Sequence, residues 1–243
     1  MRLWPRRDRR LDDAPERIDV PDRLPRTKEE CEHLARYEWA ASQVYGEVLD
    51  IACGTGYGSR LLAHSARVSG VDRDELSVRR ARSRVSGDFL VAEVPPIPLP
   101  SDAFDFITSF ETVEHISDDL GFVREIMRVL RPGGTLLISS PNMDISAPDG
   151  VPRNRWHVRE HTLSSLTTLL AEAGLQVHQV YGQSFPPRIT RGHRIAWRLH
   201  GLTWNQPGLR AAARALLGDA QVRPQDERRP PPGYWVLRAR KPV

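Results

Sequence analysis

The acids and histidines of this 243-residue chain fall in a pattern that could do chemistry. Asp50 stands in the apolar run Val48-Leu49-Asp50-Ile51, which passes directly into Ala52-Cys53-Gly54-Thr55-Gly56. Glycines that follow an apolar strand let a ligand lie against bare peptide groups, so this turn fits a nucleotide-like ligand. Asp72 ends a second apolar run, 18 residues beyond Gly54. An acid there can accept both hydroxyls of a ribose, and each bond to a charged acceptor contributes about 1.5 to 3 kcal/mol. The run Asp72-Arg73-Asp74 also fits an exposed helix start, but the place of Asp72 after an apolar strand favours the ribose role. A dinucleotide fingerprint would put its third glycine at position 59, where the chain has Ser59, so NAD is not the expected ligand. Further along, Glu93, Glu111 and Glu114 each follow an apolar run. His157 and His161, four apart, would share a face if helical, and such a pair can bind metal. No carboxylate pattern completes that site, so no metal is expected.

The elements that must hold these residues alternate. A strand at 48–51 leads into a helix from about Tyr57 to His64, then the strand "VSGVD" and a helix with Val78, Ala81 and Val85 on one face. The strand "DFLVA" follows, then the proline-rich "PPIPLP", then "FDFITSF", whose apolar run suits a buried central strand. Ser117, Asp118 and Asp119 open a helix with the stripe Val123, Ile126, Met127 and Leu130, and Pro132-Gly133-Gly134 stops it. "TLLISS" is the fifth strand; Leu166, Leu169, Leu170 and Ala173 line another helix; "LQVHQVY" and "YWVLRAR" are the last strands. That order predicts a doubly wound α/β sheet, in which ligands bind at the carboxyl ends of the strands.

Composition narrows the class. The length suits one sizeable domain. The two cysteines, Cys31 and Cys53, give no disulfide framework and fit a reducing compartment. With no run long enough to span a membrane and no apolar signal core, the protein is expected to be soluble and cytoplasmic, with no membrane partner. Of the 35 basic residues that produce the net charge of +4, only Lys28 and Lys241 are lysine. They are scattered among 31 acids without a sustained stripe, so no nucleic-acid partner is expected. Local clusters occur at Arg2, Arg6, Arg7, Arg9 and Arg10, read as a tail, and at Arg188, Arg191, Arg194 and Arg198 beside Trp197 and Trp204. The second is read as a basic exposed insertion; contact with substrate or with a second copy is the alternative.

Taken together, "VLDIACGTGYGS", "GVDRD", "FDFITSFETVEHI", "VLRPGG" and "SSPN" resemble class I S-adenosylmethionine-dependent methyltransferases, most of all the bacterial small-molecule type of natural-product and ubiquinone biosynthesis. The resemblance covers about residues 27 to 182 and, more weakly, the last strand. It implies a Rossmann-like seven-stranded sheet, mostly parallel with an antiparallel last strand, plus helical lid segments. It divides the chain into a tail and cofactor-covering helix (1–46), an α/β core (47–182) with a lid segment (143–161), an insertion (183–233) and a last core strand (234–243).

The cofactor implied is S-adenosylmethionine, leaving as S-adenosylhomocysteine. Asp50, Ala52, Cys53, Gly54 and Gly56 would surround its methionine part. Asp72, with Arg73 beside it, would hold the ribose; Glu93 and Val94 would meet the adenine; Ser109 and Phe110 would lie beside the sulfonium. Arg36 and Tyr37 resemble a helix that covers the cofactor's carboxylate, or else they belong to an amphipathic helix. Glu111, Glu114, Asn142 and Trp156 are the candidate substrate contacts. The reaction implied is methyl transfer to a small molecule, expected at a hydroxyl oxygen of a natural product, sugar or quinone-like compound; nitrogen and carbon acceptors stay open. A hydroxyl benefits from a base, a role worth roughly 10²- to 10⁴-fold. His115 and His157 are the candidates, with packing or a place in the covering segment as the alternative for each. A non-catalytic cofactor-binding protein is the reading from another class. Both a monomer and a homodimer are open.

Overall fold

The computed structural model describes residues 28–184, 222–225 and 231–243. The arginine clusters of the tail and of residues 188–198, and both Trp197 and Trp204, lie outside the described residues, as does most of the expected insertion.

In chain order the elements are α1 (Lys28–Ala41), β1 (Glu47–Ile51), α2 (Tyr57–Leu62), β2 (Arg67–Asp72), α3 (Glu75–Arg84), β3 (Phe89–Val91) and β4 (Phe104–Phe110). A 3₁₀ turn (Val113–His115), α4 (Asp119–Val129), β5 (Leu130–Pro141), α5 (Met143–Ser146) and α6 (Leu163–Glu172) follow. The chain closes with β6 (Gln176–Gln183), β7 (Arg223–Pro224) and β8 (Tyr234–Arg240). The strands form one sheet in the order β3-β2-β1-β4-β5-β8-β6-β7. Strands β1 to β5 pair in parallel, and β8 runs antiparallel between β5 and β6.

Among the described residues the sheet therefore has eight strands, one more than expected. The extra one, β7, has only two residues and pairs Arg223 and Pro224 with Gly182 and Tyr181 at the sheet edge. A proline suits an edge because it has no N–H to give to a further neighbour. It falls inside the stretch read as insertion, where two residues carry no periodicity to detect. The second departure is β5, which begins at Leu130 rather than after the glycines. Leu130 already pairs with Phe104, and Gly133 donates its N–H to Lys241 O at 3.0 Å, so Pro132-Gly133-Gly134 is carried within the strand.

Alternation along the central strands sorts the core onto two faces. Leu49, Ile51, Ile107, Leu136 and Ile138 pack with Phe122, Val123 and Ile126 of α4 and Leu166, Leu169 and Leu170 of α6. On the other face Val48, Phe106, Phe110 and Leu137 pack with Tyr37 and Ala40 of α1 and Leu61 and Leu62 of α2. Each fully buried aliphatic or phenyl side chain here contributes about 1.5 to 3 kcal/mol. Four of the described helices open on side-chain caps, with Asp74 accepting from Ser77 N, Asp118 from Gly121 N, Asn142 from Asp144 N and Thr162 from Ser165 N. The cap of α3 is thus Asp74, which leaves the Asp72 side chain to other work. Beside β1 the order turns back, with β2 on one flank and β4 on the other. A crevice opens at such a switch point.

Candidate active site

The crevice is a cavity of about 850 Å³ along the carboxyl ends of β1, β2, β4 and β5. Its floor is the turn after β1. Ala52 and Gly54 take positive φ values of 55° and 53°, and a Cβ built on Gly54 meets nothing within 4 Å. The peptide of Gly54 therefore faces open space. Glu111, after β4, also has a positive φ, 51°. Left-handed backbone at non-glycine residues costs about 1 to 3 kcal/mol each and is held only by firm surroundings. Of the three such residues described, Ala52 and Glu111 line the cavity, while Asp102 lies away from it.

Asp50 is what makes the floor firm. Its buried carboxylate accepts hydrogen bonds from Tyr37 of α1 (3.0 Å), Ser59 of α2 (2.6 Å) and Thr108 of β4 (2.8 Å). Burial pushes its pKa up to about 6 against the opposing pull of these three hydroxyls. Asp50 is fully buried and is not among the cavity-lining residues, so it acts on a ligand only through the turn it anchors. Gly56 likewise does not line the cavity. It sits at φ 76°, and a Cβ on it would come within 2.8 Å of Ala81 in α3. The structure gives Gly56, expected near the cofactor, a packing contact: it lets α2 and α3 approach. Cys53, by contrast, lines the cavity, and burial pushes its thiol pKa up.

At one end of the cavity Asp72 accepts the Gly54 N–H and the Asp74 N–H, one on each oxygen, both at 2.9 Å. Four lone-pair sites on the carboxylate leave room for two more donors. Arg73, Glu93 and Val94 line the same end, with Ala92 and Val71 supplying apolar wall that the sequence reading missed.

Phe110, Glu111, His115, Trp156 and His157 line the other end. Tyr37 stands on the wall near Phe110, ring centroids 5.1 Å apart. Arg36, one residue earlier, does not reach the cavity. Its guanidinium, fully buried, pairs with Glu111 Oε1 at 2.5 Å, donates to Ser139 Oγ at 2.8 Å and stacks 4.7 Å from the Tyr234 ring centroid. Burial works against that charge, but Glu111 and the neighbouring groups more than offset it and hold the Arg36 pKa up. Arg36, expected at a cofactor carboxylate, here makes an internal contact that ties Glu111 down. Ser109 and Asn142 are fully buried off the cavity. Asn142 caps α5 by accepting from Asp144 N and donates to Pro232 O at 2.9 Å, which makes it a joint rather than a substrate contact.

Residues 143–161 are stitched to the turn after β4. Val158 N and Arg159 N both donate to Glu114 O, and His115 Nδ1 donates to Trp156 O at 3.1 Å. His157 Nδ1 donates to Glu160 Oε1 at 2.6 Å, and the second oxygen of Glu160 accepts from Ser146 Oγ. The rings of His115 and His157 meet edge to face with centroids 4.9 Å apart. His161 does not join them: it lies between Asp119 (3.8 Å) and Ser165 (3.4 Å), and burial lowers its pKa. His157 thus meets His115, not His161, the residue that would share its face had the segment been helical. Glu160, three residues after His157, was the missed partner.

Comparison with known proteins places this geometry. A methyltransferase-domain family profile matches residues 49–138. A ubiquinone biosynthesis O-methyltransferase of Pseudomonas aeruginosa is 30% identical over 173 residues, 62% of this chain and 72% of that protein. The chain belongs to the S-adenosylmethionine-dependent methyltransferases. A Mycolicibacterium smegmatis protein named "Probable S-adenosylmethionine-dependent methyltransferase" is 39% identical over 154 residues, 62% of this chain and 60% of its own length. For that relative and the Mycobacterium tuberculosis proteins that match at 53% of their length, the aligned part is little more than half of the whole. The fold is shared with a Thermotoga maritima structure described as "SAM-dependent methyltransferase, possible histamine N-methyltransferase" (TM-score 0.62, 17% identity, 88% of this chain and 91% of that one). It is shared too with the [4+2]-cyclase SpnF (TM-score 0.57, 22% identity, 87% and 82%).

S-adenosylmethionine is the cofactor of this family, and the residues present fit it. Open space above the Gly54 peptide admits an amino acid-like group. The two oxygens of Asp72, each holding a single backbone N–H, can take a diol. Among the described residues no helix is long and apolar enough to cross a membrane.

Proposed function

We propose that the chain transfers a methyl group from S-adenosylmethionine to a hydroxyl oxygen of a small molecule. The observation that carries this reading is the continuity of one cavity, from the Gly54 and Asp72 end to the end walled by Phe110, His115, Trp156 and His157. When bound, S-adenosylmethionine supplies a methyl group already activated by a positive sulfur. The work left to the chain is alignment and exclusion of water, and well-oriented proximity supplies about 7 to 11 kcal/mol of barrier lowering. Asp72 holds the ribose, the Gly54 peptide faces the amino acid part, and Glu93 and Val94 face the base. Phe110 and Trp156 wall the acceptor and keep water out. His115 and His157 line the end of the cavity where the acceptor's hydroxyl lies. The similarity to a protein named for O-methylation in ubiquinone biosynthesis supports oxygen as the acceptor atom and a quinone-like, sugar or natural-product scaffold.

Calorimetric titration of the purified protein with S-adenosylmethionine and S-adenosylhomocysteine is expected to give binding, and titration with NAD none. Absence of heat with both sulfur compounds would sink the assignment. A second reading is cofactor binding without methyl transfer, for which the Gly54 and Asp72 end of the cavity would suffice. Screening acceptors by mass spectrometry separates the two, because only the first yields S-adenosylhomocysteine together with a methylated product.

A further inference from the structure

We propose that Glu114, His115 and His157 bind a divalent metal ion of the zinc type at the acceptor end of the cavity, with an open position for an oxygen of the acceptor. The ligand-capable atoms of these three side chains all lie within 4.8 Å of one another. Two imidazoles and one carboxylate suit zinc, cobalt or iron rather than magnesium or calcium, which prefer all-oxygen sets.

Three features go beyond proximity. First, both imidazoles are held in the tautomer that ligation needs. His115 Nδ1 donates to the Trp156 carbonyl and His157 Nδ1 to the Glu160 carboxylate, so each Nε2 carries a lone pair. Metal-binding histidines are oriented in this way by carbonyls and carboxylates behind them. Glu160 is itself fixed, nearly buried and bonded to Ser146. Second, the two segments that supply the ligands are joined by backbone, through the bonds of Val158 and Arg159 to Glu114 O. The set is thus assembled in advance. Third, Glu114 is buried while His115 and His157 line the cavity. An ion on these three would sit between a closed protein side and an open one. Three protein ligands with a vacant fourth position is the arrangement of catalytic zinc sites.

Donors around a tetrahedral ion with bonds of about 2.1 Å lie roughly 3.4 Å apart, so the set must close by up to about 1.4 Å. Side-chain rotation of the histidines covers that distance. His157 Nε2 at present accepts from Asn154 Nδ2 at 3.0 Å, a neutral hydrogen bond that a coordination bond displaces. The carboxylate that the spacing of His157 and His161 did not offer comes from the turn after β4.

The test uses the metal alone. Metal-free full-length protein is titrated with Co²⁺, followed by visible absorption, and with Zn²⁺, followed by calorimetry. One ion per chain with the intense visible bands of low-coordinate Co²⁺ is expected. His115→Ala and His157→Ala, each checked for native circular dichroism, are expected to lose these bands and to weaken Zn²⁺ binding at least about 100-fold, beyond the 10- to 100-fold typical of outer-shell changes. No uptake of either ion at micromolar concentrations overturns the proposal, and so does uptake that survives both histidine substitutions. Binding is measured without S-adenosylmethionine, so only the acceptor-oxygen role rests on the methyl-transfer reading, and the failure of one is distinguishable from the failure of the other.

Discussion

Replacing the two glycines of the turn after β1 by alanine separates what holds the fold from what meets the ligand. Both residues have positive φ, 53° at Gly54 and 76° at Gly56, so either alanine carries the left-handed cost of about 1 to 2 kcal/mol. At Gly54 nothing lies within 4 Å of the new Cβ, and the cost stops there. At Gly56 the Cβ lands 2.8 Å from both Cα and Cβ of Ala81, which belong to a helix packed on β2 and β3. Overpacking of that kind adds about 1 to 3 kcal/mol, for a total of roughly 2 to 5. Urea unfolding of the two variants at constant m, beside calorimetric titration with S-adenosylmethionine, reads both consequences. Gly54→Ala is expected to fold with a small loss and to bind the cofactor poorly; Gly56→Ala is expected to lose the greater stability. If Gly56→Ala unfolds no more readily than Gly54→Ala, the contact with α3 is not rigid and the packing role is wrong. If Gly54→Ala binds like the parent protein, the open space above that peptide does not belong to the cofactor.

Other perturbations follow from the same contacts. Asp72→Ala is expected to weaken S-adenosylmethionine binding by at least about tenfold, the loss of one or more bonds to a charged acceptor, measured by calorimetry. Asp50 has a folded-state pKa of about 6 against an ordinary 3.8, so its contribution to stability is fully present below pH 3.8 and is lost as pH rises through 6. At neutral pH the ionised group costs about 3 kcal/mol; the stability difference between parent and Asp50→Asn, followed by denaturation from pH 4 to 7, is expected to shift in favour of Asn by an amount of that order. Glu111→Ala removes the acid paired with the buried Arg36 charge, leaving Glu32 as its acidic neighbour, and is expected to cost up to about 3 to 5 kcal/mol, read by thermal unfolding, with recovery in Arg36→Met/Glu111→Leu. Once an acceptor is found, His115→Ala is expected to slow turnover while cofactor affinity stays nearly intact; full activity in that variant removes His115 from the chemistry.

The sheet was legible because apolar strands, glycine turns and capped helices repeat at readable intervals, and "FDFITSF" and "YWVLRAR" coincide with β4 and β8. The site was legible as a neighbourhood and not as a set of contacts. Asp50, Gly54 and Gly56 are near neighbours in sequence, yet the first anchors from below, the second opens upward and the third packs sideways. Sequence spacing does not reveal the direction in which a side chain leaves a tight turn. Arg36 and Tyr37 are adjacent, but the 100° between successive helix positions sends one into an ion pair and the other to the cavity wall. The helix-start alternative weighed for Asp72 falls to Asp74, two residues on, which takes the cap. The link of Glu114 and His115 to His157 spans some forty residues of chain, a distance at which periodicity carries no information.

The bonds from Val158 and Arg159 to the Glu114 carbonyl carry a lesson for redesign. They join residues 143–161 and the turn after β4 into one unit, which under the proposed methyl transfer would wall the acceptor. Grafting residues 143–161 from a relative to change which compound is methylated would import a surface fitted to a foreign turn. Chimeras that exchange residues 111–115 and 143–161 together are the ones in which a new preference and a working rate can arrive at once.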